Sequence, residues 1–198
     1  MAGGTHFGYW YRLNDNPDGP SFTPNFCVKR QPMGKFFNNT VHSVGRFGLW
    51  VFPGFQPTKN GGCYDNNVNQ QMVAHFDYLT SWRNDKGAEW VMSTNIQFRN
   101  MIIFDQSTTG IETKTIASHE NYDTSPYYSG FYNGSSGPAI VDSIIIGNSD
   151  SSAIASIGLN ALIVAWDRGE LIKNVTFINY PDNTSYAIGA PIIVCRCT

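Results

Sequence analysis

The fold of this chain is decided by three stretches that share one spacing: FNNTVHSVGRFGLWV (Phe37–Val51), FDYLTSWRNDKGAEWV (Phe76–Val91) and RNMIIFDQSTTGIETK (Arg99–Lys114). Each stretch contains a glycine with an Asn or Asp ten positions before it. The glycines are Gly48, Gly87 and Gly110, and the polar residues are Asn38, Asp77 and Asn100. The 23 residues from Gly87 to Gly110 fit one coil of a parallel β-helix.

Stacked coils bury apolar side chains that a single coil leaves exposed. Strands of neighbouring coils pair about 4.8 Å apart, so equivalent side chains form columns. An internal Asn/Asp column satisfies backbone groups at the turns, and a glycine column relieves a tight corner. We therefore predict an all-β fold, a right-handed parallel β-helix; an ordinary β-sandwich with accidental matches is the alternative. We expect one domain over residues 1–198, with an irregular N-terminal excursion over residues 1–35 and coils over residues 36–198.

The charge of the chain argues against two classes of partner. Because 13 Lys and Arg residues face 15 Asp and Glu residues without any basic run, nucleic acid is not expected as a partner. Direct membrane insertion is not expected either, since no apolar run approaches the roughly 18 residues of a membrane span. The first ten residues contain no apolar signal core. We interpret the chain as a piece of a larger extracellular protein, with neighbouring domains as its expected partners and its export signal elsewhere.

Cysteines and glycosylation sequons favour the extracellular or luminal compartment. Cys27 in the excursion and Cys63 in the loop after the first stretch are predicted to form a disulfide, with Cys195 or Cys197 open as alternative partners. Four N-x-[ST] sequons occur, at Asn38, Asn133, Asn174 and Asn183. We expect glycosylation at the last three of these and the internal column role for Asn38.

Six longer motifs follow one another through the first half of the chain: His6–Arg12, Pro17–Ser21, Gly34–Ser43, Gly48–Trp50, Lys86–Val91 and Gly110–Lys114. In that order, they resemble the parallel β-helix region of the fibrocystin and fibrocystin-L family. The resemblance implies a very large, single-pass protein of the cell surface and the ciliary membrane, with many immunoglobulin-like modules. More distantly, the region is similar to the cell-migration-inducing hyaluronan-binding protein and transmembrane protein 2, which implies a link to hyaluronan depolymerisation.

The sharpest candidate site is the column of Trp50, Glu89 and Glu112, each two positions after an anchoring glycine. Strand alternation places this column on the outer face, with the two carboxylates roughly 5 Å apart. That separation resembles a retaining glycosidase pair, in which neighbouring negative charge raises the pKa of one carboxyl. Trp50 offers a flat face for a sugar ring. The alternative is a surface ion-pair ladder in which two exposed carboxylates flank Lys114.

His42 and Arg12 are the second candidate pair. Histidine is the usual acid or base at neutral pH, and Arg12 would approach His42 and grip a carboxylate of an acidic glycan if the excursion folds over the Asn38 coil. The alternative is that His42 caps a turn and Arg12 pairs with an aspartate. No spacing predicts a metal site, and no cofactor is expected; Ca²⁺ in the loops around Asp65, Asp85 and Asp123 is an unsupported alternative.

Three functions are compatible with these features. The preferred one is a non-catalytic, structural or adhesive segment at the cell surface that contacts glycans. The second is a polysaccharide hydrolase or lyase acting on hyaluronan-type or pectin-type polymers. The third is a filament subunit that self-associates end to end through unpaired strand edges.

Overall fold

The computed structural model of the chain describes residues 2–52, 54–63, 71–93, 95–114, 137–150, 160–165, 170–180 and 185–189. These residues contain thirteen strands and two short 3₁₀ helices, Gly19–Ser21 and Val28–Arg30. The strands are β1 (Ala2–Gly3), β2 (Phe7–Tyr11), β3 (Phe36–His42), β4 (Phe47–Val51), β5 (Ala74–Trp82), β6 (Lys86–Trp90), β7 (Ile96–Arg99), β8 (Ile102–Phe104), β9 (Thr109–Thr113), β10 (Ala139–Ile146), β11 (Asn160–Ile163), β12 (Leu171–Ile178) and β13 (Tyr186–Gly189). Within this part of the chain, no helix is long and apolar enough to cross a membrane.

The strands form two sheets in which every strand pairs in parallel with its neighbours. Sheet 1 has the order β1-β3-β5-β7-β10-β12, with β8 also pairing with β5 and β10, and sheet 2 has the order β2-β4-β6-β9-β11-β13. Apart from β7 and β8, which follow each other in sheet 1, the chain alternates between the sheets, so each strand pairs with the equivalent strand one coil away. This connectivity confirms the predicted all-β, parallel β-helix architecture. Its right hand stays a prediction, which the strong preference of parallel crossovers supports.

Inward-facing side chains form one apolar core along the stack. In sheet 2, the inner column of Leu49, Ala88, Ile111 and Leu162 is fully buried and in register. Sheet 1 contributes a second inner column in which Val41, Ser81, Ile103 and Ile145 pair in turn. Each large apolar side chain buried in this way stabilises the fold by about 1.5–3 kcal/mol.

The anchoring glycines lie in one column, but inside strands of sheet 2 rather than at a corner. A Cβ on Gly48 would come within 2.5 Å of the Gly87 carbonyl oxygen, and one on Gly87 within 2.5 Å of the Gly110 carbonyl oxygen. None of these three glycines has a positive φ. The predicted reason for glycine is therefore wrong: the requirement is the close approach of the next coil's backbone, not left-handed geometry.

The bend in the middle of sheet 1 is made by one left-handed residue per coil. These residues occupy one column, with φ between 51° and 55°, and are Asn38, Tyr78, Asn100, Asp142 and Asn174. Asn and Asp tolerate this conformation better than other non-glycine residues because their short polar side chains hydrogen-bond locally. The column therefore explains why Asn and Asp recur at this point of the repeat.

The predicted internal column of Asn38, Asp77 and Asn100 is wrong. Asp77 pairs in register with Phe37 and Arg99, one position before the bend, because the corner after β5 is one residue shorter than its neighbours. Asn38 is exposed and Asn100 half-buried. Asp77 instead accepts two hydrogen bonds from the Arg99 guanidinium, at 2.6 and 2.7 Å, on the outer face of sheet 1.

The internal amide ladder exists at a different corner, between sheet 1 and sheet 2. Val44 N–H donates to the side-chain oxygen of Asn84 at 3.0 Å, and Asn84 N–H donates to that of Gln106 at 3.1 Å. Both amide side chains are buried. The Asn84 amide also donates to the Ser81 hydroxyl, and the Gln106 amide donates to the Ser81 carbonyl oxygen. Each coil thus satisfies a buried backbone donor of the preceding coil.

The N-terminal excursion is shorter than expected. Ala2–Gly3 pairs with β3 and Phe7–Tyr11 pairs with β4, so residues 2–11 belong to the coil stack and the boundary at residue 35 is wrong for them. The excursion that follows is tied to the inserted loop by a disulfide between Cys27 and Cys63, whose Cα atoms lie 5.0 Å apart. Backbone hydrogen bonds from Gln56 to Lys29 and from Thr58 to Arg30 add to this tie.

Replacing Gly87 with alanine is expected to destabilise the chain by about 2 kcal/mol or more, because the added Cβ meets backbone that cannot move independently. Gly34→Ala is the matched control, since a Cβ there has no atom within 4 Å. Urea unfolding of both variants measures the two free energies. Equal stability of the two variants would show that the coils do not depend on this close approach.

Candidate functional site

The candidate site lies on the outer face of sheet 2, where two columns run side by side. One column pairs Phe7, Phe47, Lys86 and Thr109 in register. The other pairs Trp10, Trp50, Glu89 and Glu112. The register of Trp50 with Glu89 and Glu112 is therefore as the repeat indicates.

The first two coils fill this face with stacked rings. The ring centroids of Phe47 and Trp50 lie 4.7 Å apart at 10°, and those of Phe7 and Trp10 lie 4.6 Å apart at 20°. Trp10 and Trp50 are also stacked across the two coils, at 5.6 Å. The Arg12 guanidinium lies 5.5 Å from the ring centroid of Trp10, which adds a cation–π contact.

The third and fourth coils replace these rings with an ionic network. Lys86 Nζ donates to Glu89 Oε2 at 2.9 Å and also to Glu112 Oε2. Lys114 Nζ lies 3.4 Å from Glu89 and 3.9 Å from Glu112. Two carboxylates and two ammonium groups thus balance in charge.

Trp50 joins the aromatic and ionic parts of the face. Its indole Nε1–H donates to Glu89 Oε1 at 2.9 Å. Glu89 therefore accepts hydrogen bonds through both oxygens, from Trp50 and from Lys86. Its side chain is only 1% exposed, compared with 10% for that of Glu112.

The predicted exposure of this column is wrong. The two glutamates point away from the core, as strand alternation requires, but Trp50 and the two lysines cover them. Lys114 does contact both glutamates, but Lys86 lies closer and is their principal partner. An acid or base catalyst has to reach its substrate, and neither glutamate is accessible in this way.

Burial and charge set the pKa values within the network. Burial raises the pKa of Glu89 above its ordinary value of 4.5, and Lys86 and Lys114 offset this effect only in part. Burial on its own lowers the pKa of Lys86, but the hydrogen bonds and charges of Glu112 and Glu89 outweigh it and raise that pKa. Lys86 therefore stays protonated at neutral pH and holds the two carboxylates together.

The structure does not bring His42 and Arg12 together. His42 stacks on Trp82 at 4.6 Å, at the corner that leads into sheet 2, whereas Arg12 follows β2 at the opposite end of that sheet. Asp15 pairs with Lys29 at 2.8 Å rather than with Arg12.

His75, which the repeat does not single out, lies near the Asp77–Arg99 pair. Burial lowers the pKa of His75, and the positive charge of Arg99 lowers it further.

The described ranges contain no group of three His, Cys, Asp or Glu side chains that could hold a metal ion. Asp85, one of the Ca²⁺ alternatives, accepts a hydrogen bond from Ser107 at 3.1 Å. Several other predicted positions lie outside the described residues: Asp65, Asp123, Asn133, Asn183, Cys195 and Cys197.

Comparison with known proteins shows a similarity that covers nearly the whole chain. The chain is 40% identical to mouse fibrocystin-L over 198 residues, which is 99% of this chain and 4% of that protein. Over its whole length, this chain is homologous to one segment of fibrocystin-L. The resemblance suggested by the motifs is thus confirmed, and it extends beyond residue 115, where those motifs end.

Two further relatives share less identity with the chain. Mouse fibrocystin is 28% identical over 153 residues, covering 77% of the chain and 3% of that protein. The human cell surface hyaluronidase CEMIP2 is 27% identical over 124 residues, covering 52% of the chain and 9% of that protein. No protein-family model and no solved structure matches the chain. The chain spans only about 4% of the fibrocystin-L relatives, so it corresponds to one segment of a much larger protein.

Replacing Lys86 with methionine is expected to lower the free energy of unfolding at neutral pH by about 3–5 kcal/mol, because two buried carboxylates lose their main cation. Part of this loss should be recovered as the pH falls toward 4.5, the ordinary carboxyl pKa. The sign follows from the raised pKa of Glu89, since a group with a raised folded-state pKa destabilises the fold as the pH rises through it.

Lys114→Met is the matched control, because the Lys114 side chain is 42% exposed and its ammonium lies farther from both carboxylates. This variant should lose about 1 kcal/mol or less. Urea unfolding across the acidic pH range compares the two. A pH-independent loss in Lys86→Met would contradict the assignment of the network.

Proposed function

We propose that this chain is a non-catalytic, extracellular segment of a fibrocystin-L-like protein, one that spaces neighbouring domains and presents the outer faces of its sheets. The observation that supports this most is the neutralised state of the Glu89–Glu112 pair. Both carboxylates are buried and bound to Lys86, so their partner is a lysine of the same stack instead of a substrate.

The extracellular placement is supported by two independent features. The disulfide between Cys27 and Cys63 is a bond that persists in oxidising compartments and is rare in the cytosol. Homology to a segment of fibrocystin-L favours the same placement. The ciliary membrane is a finer proposal that rests on family resemblance alone.

Contact with glycans is part of the proposal, at the exposed end of the outer columns. Trp10 is 43% exposed and carries the Arg12 guanidinium beside its ring, which suits an acidic sugar. Lys114 is the exposed cation at the other end of the same face. Trp50, by contrast, stacks against neighbouring aromatic rings, and its indole N–H is bonded to Glu89.

The enzymatic alternative draws its support from the name of one distant relative, a cell surface hyaluronidase. The test is to incubate the chain with hyaluronan and with pectin-type polymers, with and without Ca²⁺, and to follow polymer length by light scattering. We expect no shortening by the chain or by its Glu112→Gln variant. Shortening that is lost in Glu112→Gln would overturn the non-catalytic proposal.

A spacing role also requires that the chain does not assemble end to end. β12, an outermost strand of sheet 1 in the described residues, carries exposed Lys173 and Asn174, and a charge on a sheet edge opposes pairing between chains. We expect the mass of one chain by multi-angle light scattering at every concentration. A mass that grows with concentration would support the filament alternative instead.

A further inference from the structure

Asn38 occupies an unusual position among the glycosylation sequons of this chain. It lies at the left-handed bend of sheet 1, it is exposed, and Thr40 completes its sequon on the outer face of β3. Because the internal column role does not apply to Asn38, its side-chain amide is available to a modifying enzyme.

The sequon at Asn174 lies in the same column but has a different environment. Its side-chain amide donates to Asp142 at 2.8 Å, whereas Asn38 makes no such bond with the residues that the structure describes. Attachment of a sugar at Asn174 would replace one of the two hydrogens on the nitrogen that makes that contact. The two sites therefore differ in how readily they accept a glycan.

Two exposed aromatic side chains flank Asn38 on the surface. Phe37 precedes it, and Tyr78 occupies the same column one coil away. Their ring centroids lie 5.0 Å apart, yet Phe37 is 46% and Tyr78 47% exposed. Tyr78 is also the only non-Asn, non-Asp residue among the five described members of the left-handed column, so backbone geometry does not explain its choice.

We propose that Asn38 carries an N-linked glycan whose first N-acetylglucosamine packs on the Phe37–Tyr78 ring pair. Aromatic rings offer a flat apolar face that suits the C–H face of a pyranose ring and its acetyl methyl group. The glycan shields an apolar surface that otherwise faces water. This inference rests on the proposed extracellular placement, because the sugar is transferred in the secretory pathway.

The occupancy test is secretion of the chain from mammalian cells behind a signal peptide, followed by peptide mapping after treatment with peptide N-glycosidase F. That enzyme converts a glycan-bearing Asn to Asp. We expect conversion at Asn38 in the wild type and in Thr40→Ser, which keeps the sequon. Thr40→Val and Asn38→Asp should lack the glycan, and Asp tolerates the left-handed bend.

A secreted chain that contains the Cys27–Cys63 disulfide and an unmodified Asn38 overturns the glycan inference and leaves the extracellular proposal intact. Conversely, polymer degradation by a chain that is glycosylated at Asn38 overturns only the non-catalytic proposal. The two proposals therefore fail by different measurements.

The packing part of the inference is tested through stability. Removal of the glycan should lower the melting temperature of the wild type by about 2–4 °C, and should not change that of Tyr78→Ala. Tyr186→Ala is the matched control, because Tyr186 is also an exposed tyrosine, 63% exposed, on a different sheet. An equal drop in Tyr78→Ala and Tyr186→Ala would overturn the packing of the sugar on the ring pair.

Discussion

The close approach of successive coils at Gly48, Gly87 and Gly110 is the constraint on which the rest of the structure depends. At each of these positions, the carbonyl oxygen of the next coil occupies the space where a Cβ would lie. The strands then pair in parallel and in register, so every position meets its own equivalents above and below. A side chain in such a fold has to be compatible with a column, not only with its local surroundings.

Much of the fold follows from the sequence because the glycine spacing reports this constraint directly. Gly48, Gly87 and Gly110 are in register, and so are the residues one and two positions after them. The Asn and Asp residues before the glycines could not be placed in the same way. The corner Arg83–Asp85 has three residues, whereas the equivalent corners of the neighbouring coils have four. When the coils are aligned on their glycines, the residues before this corner are therefore offset by one position. An alignment of the repeats on one glycine per coil does not detect a corner that is one residue shorter.

The candidate site shows a different limit. The sequence identifies the column of Trp50, Glu89 and Glu112, but it does not reveal that Glu89 is buried. Burial arises because Lys86, three residues earlier on the same strand, lies on the same outer face and reaches both carboxylates. Lys86 contacts Glu89 on its own strand and Glu112 on the neighbouring strand. A comparison of equivalent positions within one column does not detect such contacts. Lys86 was visible in the repeat, directly before Gly87, but its partner could be found only in three dimensions.

The change from rings to charges along the outer face of sheet 2 also has a consequence for assembly. Coils that resemble one another can in principle stack in the wrong sequence, since their glycine and apolar columns would still match. Here the second coil presents an indole donor and the third a carboxylate acceptor, while the third and fourth share one ammonium group. Omitting or exchanging a coil would leave the Trp50 indole without its acceptor or a carboxylate without its cation. The two outer columns of sheet 2 thus favour the native order of the coils, which the glycine and apolar columns alone do not specify.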